Sequence, residues 1–134
     1  MRSGAWTGLA VGAAAIAIGI GVVANAVVDR QRLQAHANAM TGGNAEAGRA
    51  ALERRPCGGC HQIPGVSGAQ GKAAASLDGF AGRAYIDGRL PNSPENLIPW
   101  IVDPHAIDPQ NAMPTMGVTP AEARDMAAYL YTLN

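Results

Sequence analysis

Hydrophobic and polar positions divide the chain into two unlike parts. Residues 3–28 carry no charged side chain and are rich in Ala, Gly, Val and Ile. As an α-helix this run would span about 39 Å, which exceeds the roughly 30 Å hydrocarbon core of a bilayer. The rest of the chain mixes polar and apolar positions with many Gly and Pro residues. The pattern predicts one membrane helix in residues 1–28, followed by a compact domain.

The apolar run has two interpretations. It is either an uncleaved signal-anchor helix or a secretory signal peptide, with Arg2 as the positive region and an Ala-x-Ala cleavage site at residues 24–26 or 37–39. The apolar core of a signal peptide has about 7–15 residues, so the length favours the anchor. Gly4, Gly8 and Gly12 recur every four residues, a pattern that lets membrane helices pack closely on a partner, although Gly is also common in such helices generally.

The region after the membrane segment predicts an all-α domain. Residues 29–43 are polar and Ala-rich and end in Gly-Gly, so we interpret them as a tether, in part helical, and place the domain at residues 44–134. Residues 56–92 hold many Gly and Pro residues and predict mostly loop, with one short helix near 78–86 and no strand.

Three helix starts carry clear signals. Asn44 is a suitable N-cap for a helix that ends near Arg54. Ser93 followed by Pro opens a second helix that ends before residue 103. Thr119 and Glu122 fit a capping box at the start of a C-terminal helix with one apolar face.

Composition and charge narrow the class of protein. The chain contains 1 Phe, 2 Trp and 3 Tyr residues and has a formal net charge of zero. A balanced charge argues against a nucleic-acid binder. A loop-rich domain with so few bulky side chains is hard to stabilise by protein packing alone, which suggests a buried cofactor.

A C-x-x-C-H motif at residues 57–61 indicates which cofactor this is. Thiols at Cys57 and Cys60 can add to the two vinyl groups of a porphyrin, and His61 then offers an imidazole nitrogen to the iron. A thioredoxin-type dithiol is normally found near a βαβ pattern, which is not visible here. A structural zinc site needs about four ligands, and only His36 and His105 would remain to complete it. Both alternatives are weaker than haem c.

The second axial ligand should lie far down the chain. Candidates before the last helix are His105, Met113 and Met116. The Asn-Ala-Met-Pro stretch at residues 111–114, together with the capping box that follows and the C-x-x-C-H motif, resembles the small bacterial class I cytochromes c. In that family a Met precedes the N-cap of the C-terminal helix by about six residues, and Met113 stands at that distance from Thr119.

The resemblance covers residues 44–134 and implies a class I cytochrome c fold. It implies three to four helices around one covalent haem c, held by Cys57 and Cys60, with His61 and Met113 as iron ligands. Gly48 is expected to let the first helix cross the last one closely, near Tyr129. Many relatives have Gly-Pro where this chain has Ala74-Ala75, and a carbonyl oxygen there is expected to accept the proton of His61 Nδ1.

The sequence also suggests residues that could line the haem pocket and residues that could pair with the haem propionates. We expect Trp100 and Tyr85 to be core or pocket residues. Arg83 and Arg89 are expected either to pair with propionates or to lie solvated at the surface.

The resemblance also implies a function. No constellation of general acid, general base and nucleophile is evident, so we expect an electron carrier rather than an enzyme, with no small-molecule substrate. Covalent haem attachment outside the cytoplasm would place the domain in the periplasm of a bacterium, anchored once in the inner membrane. Expected partners are a quinol–cytochrome c reductase or a periplasmic dehydrogenase as donor and a haem–copper terminal oxidase as acceptor. The alternatives are a fixed subunit of a respiratory assembly or dehydrogenase, or a haem enzyme or gas-binding haem protein with an open iron site.

Overall fold

The computed structural model describes the backbone of residues 3–134 and the side chains of residues 11–134. Arg2 lies outside the described residues, and the surroundings of Gly4 and Gly8 lie outside the described side chains. At Gly12, the third position of the glycine repeat, no described atom outside the adjoining turns of its own helix lies within 4 Å of the place that a methyl group would occupy. The chain forms two compact units, Met1–Leu33 and Gln34–Asn134.

The first unit consists of the long helix α1, which runs over Ser3–Thr41. Within the described residues, Val11–Thr41 is long and apolar enough to cross a membrane, with a mean hydropathy of 2.3 in its most apolar window. None of that window is buried, and Ile16, Ile18 and Ile20 are each about two-thirds exposed. Leaving such a surface in water is unfavourable, so this helix fits a membrane anchor.

The segment interpreted as a tether is helical as far as Thr41 and does not form a coil. Ala residues favour the helix, and Ala37 and Thr41 bury one face of its last turns within the second unit. Asn38 Oδ1 accepts a hydrogen bond of 2.7 Å from the amide of Ala45. Gly42 then ends the helix with a φ of 67°, a conformation that glycine adopts without strain. The second unit therefore begins ten residues before the predicted domain boundary at residue 44.

Helices α2 (Ala45–Arg54) and α6 (Pro120–Leu130) form the main helix pair of the second unit. Gly48 lies at the crossing, where a methyl group would overlap the carbonyl of Asp125. The predicted close approach at Gly48 is confirmed, although the nearest backbone belongs to Asp125 rather than Tyr129. Tyr129 instead donates a hydrogen bond of 2.7 Å to the carbonyl oxygen of Pro64.

The remaining elements are short. They are helix α3 (Cys57–Cys60), a 3₁₀ turn (Phe80–Gly82), strands β1 (Tyr85–Ile86) and β2 (Leu90–Pro91), and helices α4 (Pro94–Val102) and α5 (Pro104–Ile107). The two strands pair antiparallel, with Ile86 opposite Leu90. The expectation of no strand was wrong at this hairpin, because two-residue strands leave no alternating pattern in the sequence.

The sequence signals at the helix starts are confirmed. Asn44 Oδ1 accepts from the amide of Ala47, and Ser93 occupies the N-cap position of α4. Thr119 and Glu122 form the complete capping box of α6. The fold class is confirmed as mainly helical.

One hydrophobic core lies between α2, α4, α6 and the loop that precedes the 3₁₀ turn. Its members include Leu52, Ile63, Phe80, Leu97, Trp100, Met126 and Tyr129. Phe80 contacts the ring of Tyr131 edge-on, with ring centroids 5.8 Å apart. Burial raises the pKa of Tyr131 to about 12, so its hydroxyl stays protonated and donates to Asn92 Oδ1.

We predict that Gly48→Ala destabilises the protein by about 1–3 kcal/mol, because the added methyl forces α2 and α6 apart. Denaturant unfolding of the intact protein measures the loss. Gly82→Ala is the matched control, since apart from adjoining residues of its own turn no described atom lies within 4 Å of its methyl position, and it should change stability by less than about 0.5 kcal/mol. Equal stabilities for the two variants would contradict the close crossing.

Candidate functional site

The C-x-x-C-H motif forms one helical turn followed by an extended residue. Cys57 and Cys60 begin and end α3, and the amide of His61 donates to the carbonyl oxygen of Cys57 at 2.9 Å. Side chains three residues apart on a helix are neighbours, so both thiols lie on one face. His61 leaves the helix with φ −100° and ψ 143°, which turns its side chain away from the helical path.

A neighbouring loop segment, residues 69–75, holds the motif by backbone contacts. The amide of Gly71 donates to Gly58 O, and the amide of Ala74 donates to Cys60 O, each at 3.0 Å. A methyl group on Gly58 would lie 2.7 Å from Ala69 Cα, and one on Gly71 would lie 2.5 Å from the backbone of Cys60. The absence of side chains at these two glycines lets the segments approach closely.

The same segment orients the imidazole of His61. Its Nδ1 atom lies 2.7 Å from the carbonyl oxygen of Ala75. A carbonyl oxygen only accepts hydrogen bonds, so Nδ1 carries the proton and Nε2 presents its lone pair for a metal. The expectation that a carbonyl at Ala74-Ala75 would serve His61 is confirmed, and the missing Gly-Pro does not remove this contact.

The two thiols differ in environment. Cys57 is partly buried and packs against the core, whereas Cys60 is exposed. Burial raises the pKa of the Cys57 thiol, with the nearby charge of Arg55 acting in the opposite direction. Cys57 is therefore expected to remain a neutral thiol before it is modified.

The two methionine candidates for the second iron ligand lie in the loop between α5 and α6, which we call the distal loop. Met113 and Met116 are both partly buried against the core. The amide of Met113 donates a hydrogen bond of 2.7 Å to Asn111 Oδ1, which fixes the backbone at this Met. Among the described residues, none accepts a comparable side-chain hydrogen bond from the amide of Met116, and its carbonyl oxygen accepts from Arg55.

His105, the other candidate, uses both ring nitrogens within the protein. Its Nε2 lies 3.0 Å from the carbonyl oxygen of Asn111, and its Nδ1 lies 3.3 Å from Thr115 Oγ1. This arrangement makes His105 a partner of the distal loop and leaves it poorly suited as an iron ligand.

Arg55 connects the attachment motif with the distal loop, a contact that the sequence did not predict. It follows α2 and donates to the carbonyl oxygen of Met116 at 3.0 Å. It also donates to both carboxylate oxygens of Glu122 at 3.1 and 2.8 Å. No local pattern marks Arg55, because its partners lie more than sixty positions away in the chain.

Four further candidates divide between the core and the surface. Trp100 is buried in the core as expected, whereas Tyr85 is 56% exposed and is not a core residue, so its place in a haem-pocket wall stays a prediction. Arg83 donates to the carbonyl oxygens of Ser76 and Asp78 and lies over the ring of Phe80. Arg89 forms an ion pair with Asp108.

The donor set fits a haem better than the alternatives. Two thiols on one helical face, an imidazole with Nε2 available and a thioether on a second segment match covalent haem attachment with sulfur and nitrogen ligands. Among the described residues, no three His, Cys, Asp or Glu side chains come together as a metal site, which disfavours the zinc interpretation.

The fold and this attachment motif define a small helical protein built to hold a covalent haem. The family described as Cytochrome c matches residues 45–134, and the chain belongs to this family. A covalently bound haem c and an electron-transfer role follow from that membership, as the C-x-x-C-H motif predicted.

One curated relative is the protein named cytochrome c oxidase subunit 2 of Alkalihalophilus pseudofirmus. It is 36% identical over 90 residues, which cover 66% of this chain and 25% of the relative. The chain therefore matches about a quarter of that protein's length. No solved structure matches the chain significantly.

The contact between Arg55 and Glu122 predicts an acid-sensitive contribution to stability. Hydrogen bonds from Arg55 and from the amide of Thr119 lower the pKa of Glu122. A carboxyl with a lowered pKa in the folded state stabilises the protein above its unfolded pKa of about 4.3, and that stabilisation is lost as the pH falls through the lower, folded-state value.

We therefore expect Glu122→Gln to lower the unfolding temperature at pH 7 and to have a much smaller effect near pH 3. Thermal unfolding followed by circular dichroism across this range measures the difference. Glu46→Gln, an exposed carboxylate on α2 that pairs with Arg49, is the control. An effect of Glu122→Gln that does not change with pH would contradict the assignment.

Proposed function

We propose that this protein is a membrane-anchored cytochrome c that passes single electrons in the bacterial periplasm, with the covalent haem held by Cys57 and Cys60 and its iron bound by His61 and Met113. The observation that carries the proposal is the hydrogen bond from His61 Nδ1 to Ala75 O, directly after the two-thiol turn. That contact aims the free lone pair of Nε2 and raises the basicity of the ring.

The residues around the haem would hold and tune it, and the bound haem would supply the reversible one-electron change. Thioether bonds to Cys57 and Cys60 would fix one edge of the porphyrin to α3. Met113 is favoured over Met116 because its amide is held by Asn111 and because its spacing from Thr119 fits the family. A His/Met pair gives a higher potential than two histidines, which suits electron delivery to a strong oxidant.

A terminal oxidase is the proposed acceptor, and a quinol–cytochrome c reductase or periplasmic dehydrogenase the proposed donor. The relative named cytochrome c oxidase subunit 2 supports the respiratory link. Residues 44–134 contain seven Lys and Arg residues and nine Asp and Glu residues. This mildly acidic domain lacks the excess of positive charge that would steer it to acidic partners, so anchoring in the same membrane is the more effective way to raise encounter rates.

We predict that Met113→Ala abolishes the sulfur–iron charge-transfer band at the red end of the oxidised spectrum. It should also lower the reduction potential by an amount on the order of hundreds of millivolts, within the roughly 0.8 V range that axial ligands span. Absorption spectroscopy and a redox titration measure both effects. Met116→Ala is the control, because its carbonyl bond to Arg55 survives the change. Loss of the band in Met116→Ala, with retention in Met113→Ala, would reverse the assignment.

A second candidate, a fixed cytochrome subunit of a respiratory assembly, is favoured by the short link to the membrane segment. The charge-free stretch ends at residue 28, and the second compact unit begins at Gln34. Five residues reach at most about 16–18 Å when fully extended, and about 7.5 Å as a helix. A free shuttle gains from a long flexible tether, and this chain offers a short helical one.

Purification from native membranes in mild detergent separates the two candidates. The short link predicts that the protein elutes with other redox proteins in fixed stoichiometry, detected by haem spectra and protein staining. Elution as a free haem protein under conditions that keep oxidase complexes intact would favour the shuttle. A variant with about fifteen Gly and Ser residues inserted after Leu33 is the matched comparison, and it should slow electron delivery only if the short link positions the domain.

A further inference from the structure

His105 lies at the centre of a hydrogen-bond network beside the distal loop. It is partly buried on α5, eight positions before Met113 in the chain. Its Nε2 contacts the carbonyl oxygen of Asn111 at 3.0 Å, and its Nδ1 contacts Thr115 Oγ1 at 3.3 Å. One side chain thus holds the distal loop on both sides of Met113.

The direction of these bonds follows from the atoms involved. The carbonyl oxygen of Asn111 only accepts, so His105 Nε2 is the donor. The hydroxyl of Thr115 carries one proton, which lies closer to Asp103 Oδ1 at 2.9 Å than to His105 Nδ1 at 3.3 Å and serves one of these two contacts at a time. Asp103 sits between α4 and α5 at the base of this network, and it ties Thr115 to the helical part of the domain.

Asn111 transmits this restraint to Met113. Its carbonyl accepts from His105, while its side-chain Oδ1 accepts from the amide of Met113 at 2.7 Å. Its side-chain amide donates to Asp87 Oδ2 at 3.1 Å, in the turn between β1 and β2. Asn111 is therefore fixed through its backbone carbonyl from α5 and through its side chain from the hairpin, and the amide of Met113 is fixed by Asn111.

We propose that His105 is a positioning residue that keeps Met113 in place through Asn111, so that the thioether resists displacement from the iron by other ligands. The inference rests on the proposed ligation by Met113. The geometry supports a role through the backbone: two anchored residues flank Met113, and no bond from His105 to Met113 itself is required.

Competition by free imidazole tests the proposal. Oxidised protein is titrated with imidazole, and loss of the sulfur–iron band gives the midpoint at which the thioether is displaced. His105→Gln and His105→Asn form a matched pair, because the Gln amide reaches the Nε2 position and the shorter Asn amide does not. We expect the midpoint of His105→Asn to fall about fivefold to tenfold, and that of His105→Gln to stay within about threefold of wild type.

Two control variants and a second measurement separate the positioning of Met113 from an effect on general stability. His36→Gln changes an exposed histidine on α1 and should leave the midpoint unchanged. Tyr131→Phe removes the hydrogen bond to Asn92, and it should lower the unfolding temperature without changing the midpoint. Hydrogen exchange at the Met113 amide, which does not depend on electron transfer, should be faster in His105→Asn than in Tyr131→Phe.

The results of these experiments distinguish a failure of the positioning role of His105 from a failure of Met113 as the iron ligand. If the wild type shows the band and His105→Asn matches His105→Gln in midpoint and exchange, the positioning role is wrong and the ligation stands. If the wild type lacks the band, both are wrong. Should His105→Asn not fold, Thr115→Val leaves His105 in place and removes both its contact to Thr115 and the bond from Thr115 to Asp103, whereas Asp103→Ala removes only the second. A midpoint two- to threefold lower in Thr115→Val than in Asp103→Ala then supports the proposal, and equal midpoints overturn it.

Discussion

The close crossing of α2 and α6 is the contact on which both halves of the site depend. Gly48 lets the two helices approach nearly backbone to backbone, and Ala45, Ala123 and Ala127 on the same helices are fully buried. Helix α2 delivers the chain directly into the C-x-x-C-H motif. Helix α6 begins where the distal loop ends. A shift of either helix would therefore move one candidate iron ligand relative to the other.

Different kinds of interaction hold the two halves of the site. The attachment motif is held mainly by backbone hydrogen bonds to residues 69–75 and by two glycines that permit close approach. The distal loop is held mainly by side chains, namely those of His105, Asn111 and Arg55. Backbone contacts tolerate many substitutions, so the replacement of Gly-Pro by Ala74-Ala75 leaves the contact to His61 intact. The distal loop depends on particular side chains and is the more sensitive half.

The polar composition of residues 29–43 suggested a tether, but most of this segment is helical. These residues form the last turns of α1, and Ala37 and Thr41 are buried in the second unit. Five residues, at positions 29–33, separate the charge-free stretch from the second unit. This feature links the fold to the proposed function, because a short helical link suits a partner in the same membrane better than a distant one.

The sequence by itself determined the features that depend on neighbouring residues. Periodicity and capping residues predicted α2, α4 and α6, and the C-x-x-C-H spacing predicted the haem class, because caps, turns and thiol spacing act over a few positions. Tertiary structure alone decided which carbonyl holds His61, that Arg55 joins the two halves of the site, and that His105 supports the distal loop. These contacts join residues that the chain separates, and hydrogen-bond partners at such distances leave no periodic signal. Tertiary structure also decided the length of α1. The polar, Ala-rich segment at residues 29–43 is equally compatible with coil, and burial of Ala37 and Thr41 stabilises it as helix.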